Sequence, residues 1–330
     1  MHNKKILVTG GAGFIGSELT HQLVQMGAKV VVVDNLINGK RENLERLEND
    51  IQLEILDIRN LEKISSLMNN VDIIYHLACL GVRHSIHSPL ENHSVNADAT
   101  LHLLECARKA NVGRFVYVSS SEVYGTARWI PMTEEHPTYP HTVYGASKLA
   151  GECYARAYYD TYRFPTVMVR PFNSFGPRSH HEGDSGEVIP KFLLRSMLGQ
   201  PMIIFGDGTQ RRDFTYVSDT ARGILLAGQN DQAIGETINL GSGAEIDINT
   251  LAEEVAKLLG HTEAKVQRGK ARAGDVLRLL ADSSKAQQLL NYKACISLQT
   301  GLSFLHQWYL DKQQNLELLL KEEIVYNWEK

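Results

Sequence analysis

The run Thr9, Gly10, Gly11, Ala12, Gly13, Phe14, Ile15, Gly16 decides the fold of this chain, because of what flanks it. The apolar stretch 5–9 before it reads as a strand, and residues 16–26 after it carry helical periodicity. A glycine cluster between a strand and a helix marks a turn that can cradle a pyrophosphate. Without β-carbons, backbone N–H groups approach the phosphates, which lie at the positive end of the helix. Gly11, Gly13 and Gly16 fit the spacing G-x-G-x-x-G, and Gly10, Gly13 and Gly16 fit G-x-x-G-x-x-G.

Outward from that turn, short apolar runs alternate with helical stretches. Strands are expected at 5–9, 29–34, 52–57, 72–77, 114–119 and 166–170, with helices at 16–26, 97–110 and 143–162. The strands are apolar on both faces, as a buried parallel sheet requires. The pattern predicts an α/β fold with a doubly wound parallel sheet. After Arg170 the rhythm breaks into Gly, Pro and polar clusters, followed by helices expected at 220–228, 250–260, 283–290 and 301–310. We expect a first lobe over 1–172, with a return of about 214–236, and a smaller α/β lobe over 173–330 interleaved with it.

Lys and Arg total 34 against 38 Asp and Glu, a formal charge of −4. That argues against a nucleic-acid binder, which carries a basic stripe. The 330 residues are 43 % hydrophobic and 22 % charged, an ordinary globular composition. No apolar run is long enough to suggest a membrane span, and no signal-like stretch precedes the first strand. Cys79, Cys106, Cys153 and Cys295 are scattered, which fits inert, reduced thiols in the cytoplasm better than a disulfide framework. His84, His87 and His93 are dense but lack a completing ligand set, so no metal is expected.

Asp34 ends the second expected strand 18 residues after Gly16. A carboxylate there accepts hydrogen bonds from adenosine ribose hydroxyls and repels a 2′-phosphate, which favours NAD over NADP. Lys40 and Arg41 follow closely enough to weaken that preference. Tyr144 and Lys148 share a helix face at four residues' separation, so the ammonium can favour an ionised phenol. Such a phenol is a usable base near neutral pH. Spacing alone identifies nothing, because Tyr326 and Lys330 repeat it where a solvated helix face is expected.

These features join the pair Asp57 and Ile58, the run His76, Leu77, Ala78, the run Arg170 to Asn173 and the run Phe205 to Phe214. Together they resemble the extended short-chain dehydrogenase/reductase family, to about Leu310. The resemblance implies a Rossmann-like lobe, a smaller C-terminal substrate lobe, bound NAD and a nucleoside-diphosphate sugar as substrate. It places Gly10, Gly11, Gly13, Phe14, Ile15, Gly16, Asp34, Asn35, Asp57, Ile58, Leu77, Ala78 and Pro171 around the cofactor. Lys148 would bond the nicotinamide ribose, and Ser120 would join Tyr144 at the reacting hydroxyl. Asn173, Arg212 and Arg272 match positions on the diphosphate side of the substrate, with Val188 also at the substrate. The polar loop of His180, His181, Glu182 and Asp184 reads as a cover over the nucleotide. The resemblance also implies a homodimer through a four-helix bundle formed by 97–110 and 143–162, with apolar surface from Leu101, Leu104, Tyr154 and Tyr158.

In such enzymes the Tyr phenolate takes the proton of the sugar C4 hydroxyl while hydride leaves C4. Product choice is most legible in Ser119, Ser120, Ser121, Glu122, Val123, Tyr124, Gly125. An epimerase rotates the 4-keto sugar and needs no carboxylate there. A 4,6-dehydratase needs a base for the C5 proton, and Glu122 matches that glutamate. Many dTDP-glucose-type dehydratases carry Asp where Ser121 stands, whereas GDP-mannose-type dehydratases and UDP-glucuronate decarboxylases tolerate Ser. The expectation is a 4,6-dehydratase with Tyr144, Lys148, Ser120, Ser121 and Glu122 catalytic. A UDP-glucose 4-epimerase-like enzyme, a UDP-glucuronate decarboxylase and a non-catalytic NAD sensor stand beside it as alternatives.

Overall fold

The computed structural model describes residues 1–272, 274–312 and 315–329. Its strands are β1 (Lys5–Thr9), β2 (Lys29–Asp34), β3 (Ile51–Ile55), β4 (Ile73–His76), β5 (Arg114–Val118), β6 (Thr166–Pro171), β7 (Asn173–Phe175), β8 (Met202–Phe205), β9 (Arg211–Tyr216), β10 (Thr237–Leu240), β11 (Glu245–Asp247) and β12 (Val266–Gly269). Seven of them form one parallel sheet in the order β10-β6-β5-β4-β1-β2-β3. The order reverses between β1 and β4, and ligands of doubly wound sheets bind at that switch point.

Both faces of the sheet are covered. In β1, Ile6 and Val8 pack into one apolar cluster with Leu19 and Leu23 of the helix Phe14–Gln25, while Leu7 packs into another with Leu103 and Leu104. Burial on alternate sides explains why these strands read as continuous apolar runs. The helix Val143–Tyr162 starts where the Thr142 hydroxyl accepts from the Gly145 N–H at 3.2 Å, and stops at Arg163, which adopts φ +55°. Such a hydroxyl cap and left-handed stop define helix ends. Gly151 on this helix lets the Tyr117 ring approach, since a β-carbon there would come within 2.3 Å of the phenol oxygen. The helix Ala99–Lys109 turns Leu104 fully into the core, so Leu104 is not available as partner-facing surface.

The second lobe holds two small sheets. One has β7 parallel to β9 and β11 antiparallel to β9, and the other pairs β8 with β12 in parallel. Its core includes Phe175, Phe192, Leu251 and Leu305. The helix Val188–Met197, which the sequence pattern did not suggest, supplies Phe192. The chain returns to the first lobe beyond residue 236: β10 extends the main sheet, and Ala286 and Leu290 of the helix Ser284–Leu290 join its core. Tyr326 lies in a turn rather than on a helix and packs on Phe205 and Trp328; Lys330 lies outside the described residues. Among the described residues no helix is long and apolar enough to cross a membrane.

Candidate active site

A cleft of about 440 Å³ runs from the glycine turn across the C-terminal ends of β1, β4, β5 and β6 into the second lobe. Gly10, Gly13 and Gly16 line it. Gly10 has φ +71°, and a β-carbon on it would meet the Ala78 backbone nitrogen at 2.7 Å; one on Gly16 would meet the Gly10 carbonyl oxygen at 2.0 Å. Gly13 caps the helix Phe14–Gln25 with no side chain over its first N–H groups. Gly11 departs from the expectation: it faces away from the cleft, 2.8 Å from a Val32 methyl at its β position, because the first turn must pack on the sheet. The ligand-facing frame is therefore Gly10, Gly13, Gly16.

Phe14, Ile15, Asp34, Asn35, Asp57, Ile58, Leu77, Ala78 and Pro171 line the same end. The Asp34 carboxylate accepts from the Ala12 and Leu36 N–H groups at 3.0 and 2.9 Å. Burial pushes its pKa up, against the pull of those backbone bonds. Lys40 pairs with Glu182 at 2.8 Å, which draws this nearby cation away from Asp34. A glycine turn that excludes β-carbons, an uncapped helix start and a buried carboxylate fit the pyrophosphate and ribose of NAD.

The chain leaves β5 through a tight turn in which the Ser120 hydroxyl accepts from the Glu122 N–H at 3.2 Å. Two residues on, the Tyr124 hydroxyl donates to Asn239 at 2.7 Å and accepts from Arg170 at 2.7 Å. Arg170 is itself held by Glu152 through bonds of 2.9 and 2.6 Å, both side chains buried. This network fixes the turn against β6 and β10. Ser120, Ser121 and Glu122 reach the cleft from it, beside Tyr144 and Lys148.

Lys148 corrects one expectation. Its ammonium donates to the Val118 carbonyl at 2.6 Å and lies 4.9 Å from the centre of the Tyr117 ring. The Tyr144 pKa is pushed well above its ordinary value, by burial first and then by the nearby Cys79 and Glu122, against a hydrogen bond from Ser120. Lys148 is thus spent on β5 rather than on the phenol, and burial lowers its own pKa. Glu122 retains some exposed surface, but that surface faces the cleft. Desolvation therefore dominates and raises its pKa, against the pull of Arg212 and Arg272.

Asn173, Val188, Arg212 and Arg272 line the second-lobe half. The two guanidiniums share one carboxylate, with Arg212 and Arg272 at 2.8 and 2.5 Å from Asp275. Several neighbours carry no local motif. Arg83 pairs with Glu187 at 3.2 Å across the cleft, and burial pushes the Lys191 pKa down to about 8. Cys79, read as inert, also lines the cleft; its place directly after Ala78 was the one available signal. His87, at the end of the helix Val82–His87, bonds Asp184 at 2.7 Å, joining two segments far apart in the sequence. Among the described residues no three His, Cys, Asp or Glu side chains converge as a metal site.

The family model described as GDP-mannose 4,6 dehydratase matches residues 7–304. The chain belongs to this family. Its members here are extended short-chain dehydrogenases/reductases, and the chain is an NAD-dependent enzyme that modifies a nucleotide sugar. An epimerase structure from Methanothermobacter thermautotrophicus is 37 % identical, with a TM-score of 0.89, and the match covers 98 % of this chain and 96 % of that one. A dTDP-glucose 4,6-dehydratase from Streptomyces venezuelae, solved with NAD bound, is 32 % identical, with a TM-score of 0.88 and coverage of 94 % and 98 %. UDP-glucuronic acid decarboxylase 1 of Arabidopsis thaliana is 34 % identical over 90 % of this chain and 68 % of its own. Family members of three reaction types therefore stand at similar distances from it.

Proposed function

We propose that the chain is a nucleotide-sugar 4,6-dehydratase. The observation that carries this reading is Glu122, a carboxyl group on the turn after β5 that reaches the cleft beside Ser120 and Tyr144, with its pKa raised by burial. A raised carboxyl pKa suits a group that takes and gives a proton near neutral pH.

When bound, NAD supplies the hydride acceptor that opens the reaction and the donor that closes it. Gly10, Gly13 and Gly16 would hold its pyrophosphate, Asp34 its adenosine ribose and Lys148 its nicotinamide ribose. Tyr144 takes the proton of the C4 hydroxyl, with Ser120 bonding the same oxygen. Glu122 then takes the C5 proton, acidified by the C4 ketone, and returns it to the C6 hydroxyl as the C6–O bond breaks and water leaves; the hydride returning to C6 and a solvent-derived proton added at C5 complete the 4-keto-6-deoxy product. Ser121 has no acidic proton to offer, so one carboxyl serves both steps. Arg212 and Arg272 bind the diphosphate, for which guanidinium forks are suited, and Asn173 and Val188 border the substrate. A homodimer through the helices Ala99–Lys109 and Val143–Tyr162 belongs to the same proposal, supported by the exposed Tyr162.

The second reading is 4-epimerisation, favoured by the absence of an acid at Ser121 and by the 37 % identical epimerase. The Glu122→Gln variant separates the two. Dehydration predicts that the variant still reduces its cofactor on adding substrate but releases no product lighter by one water. Wild-type dehydration by the variant would exclude Glu122 as the base.

A further inference from the structure

A second carboxylate lines the cleft besides Glu122. Glu187 stands in the N-cap position of the helix Val188–Met197, yet its side chain makes no capping hydrogen bond. A polar N-cap side chain ordinarily accepts from the first N–H groups of its own helix. Here it turns to the first lobe instead, where it pairs with Arg83 at 3.2 Å. Four residues on from Arg83 in the helix Val82–His87, His87 bonds Asp184 at 2.7 Å. The two bonds join that helix to the 184–187 segment, so Glu187 is held from both lobes. Burial works against its charge, but Arg83 overcomes this and holds its pKa below the ordinary carboxylate value. Glu187 is therefore an anion near neutral pH, and it retains accessible surface in the cleft.

Glu122 and Glu187 both act on the Tyr144 phenol, and Arg83 acts on both carboxyl groups. With C4 of the sugar at Tyr144, the adjoining C5 and its C6 substituent lie in the field of both. A C6 hydroxyl can donate a hydrogen bond to a carboxylate there. A C6 carboxylate would meet a fixed like charge, and the guanidinium suited to receive it, Arg83, is already taken. We propose that Glu187 determines specificity: seated on Arg83, it takes the place that a substrate carboxylate would take, so that the enzyme accepts nucleotide hexoses with an uncharged C6 and rejects nucleotide hexuronates. The proposal rests on the nucleotide-sugar class of substrate and on C4 lying at Tyr144, and its test reads binding rather than dehydration.

The test is calorimetric binding to the NAD-loaded enzyme, with Tyr144→Phe in every preparation to prevent turnover. The ligands are pairs that differ only at C6: UDP-glucose with UDP-glucuronate, UDP-N-acetylglucosamine with its uronate, and GDP-mannose with GDP-mannuronate. In the pair whose hexose binds best, the hexose should bind about tenfold or more tightly than the uronate. Glu187→Gln should raise the affinity for that uronate about tenfold or more, the worth of one charge-assisted hydrogen bond from the freed Arg83. Adding Arg83→Gln should abolish the gain, which a merely structural role for Glu187 does not predict. Should Glu187→Gln fold poorly, Glu187→Ser supplies a capping hydroxyl to the helix and must show the same gain. Equal binding of both members by the parent, no gain in the folded variant, or a gain that survives the loss of Arg83 overturns the proposal. If the parent binds neither member of any pair, the substrate class itself fails, and the proposal with it.

Discussion

The Lys148 ammonium is anchored to the Val118 carbonyl at 2.6 Å, which ties the helix carrying Tyr144 to the strand that precedes Ser120. The bond sets the distance between Tyr144 and the turn of Ser120 to Glu122. Burial lowers the Lys148 pKa, so the charge costs folding energy that the Val118 bond offsets. Lys148→Met should therefore cut turnover at least hundredfold while shifting the melting temperature little. Steady-state kinetics and a thermal melt on one preparation check both halves.

Tyr144→Phe removes the phenol proposed to take the C4 hydroxyl proton. Turnover should fall by about 10²–10⁴-fold, the usual worth of a general base. Because burial and the neighbouring Cys79 and Glu122 hold the Tyr144 pKa high, wild-type kcat/KM should rise with pH through the neutral range. A flat profile between mildly acidic and mildly alkaline pH would count against this base.

Glu122 offers a stability test independent of catalysis. Its folded pKa lies above the ordinary carboxylate value, so its favourable contribution is present below that value and is lost as pH rises through the folded pKa. Glu122→Gln, which cannot ionise, should melt at a higher temperature than wild type at neutral pH and at the same temperature near pH 4. Thermal melts across that range decide it; an equal difference at both ends would contradict the burial of the charge.

Breaking the pair Arg170 and Glu152 leaves one charge buried alone. Arg170→Met should destabilise the fold by about 3–5 kcal/mol, and it also frees the Tyr124 hydroxyl that fixes the Glu122 turn. Denaturant unfolding measures the first effect. Recovery of most of that loss in the double variant Arg170→Met with Glu152→Leu would identify the stranded charge as its cause.

In the proposed cofactor site Asp34 presents a charged acceptor to the ribose. Asp34→Asn should weaken NAD binding by about 1.5–3 kcal/mol, or roughly tenfold or more in Kd. The loss for NADP should be smaller, because the repulsion of its 2′-phosphate goes too. Titrating both cofactors into the apoprotein reads the difference.

Where a feature is enforced by neighbours in the chain, the sequence displayed it. Gly16 is required by a backbone contact with Gly10 within the same turn, and the helix Val143–Tyr162 carries its own start at Thr142 and stop at Arg163. The packing of Gly11 on Val32, a tertiary contact between the turn and β2, is what separates the Gly10 and Gly11 frames. Likewise, Lys148 finds Val118 rather than Tyr144 through a tertiary contact that no helical spacing encodes. Arg83, Lys191 and Trp328 reach the cleft from segments far apart in sequence, and β10 is a four-residue strand recruited by β6. None of these carries a local motif.

The most direct test of dehydration is the product mass after turnover of the preferred nucleotide sugar in deuterium oxide. Elimination across C5 and C6, followed by reprotonation at C5, predicts a product that has lost one water and carries one carbon-bound deuterium. A product of unchanged mass, with no deuterium on carbon, would contradict it and identify the enzyme as an epimerase.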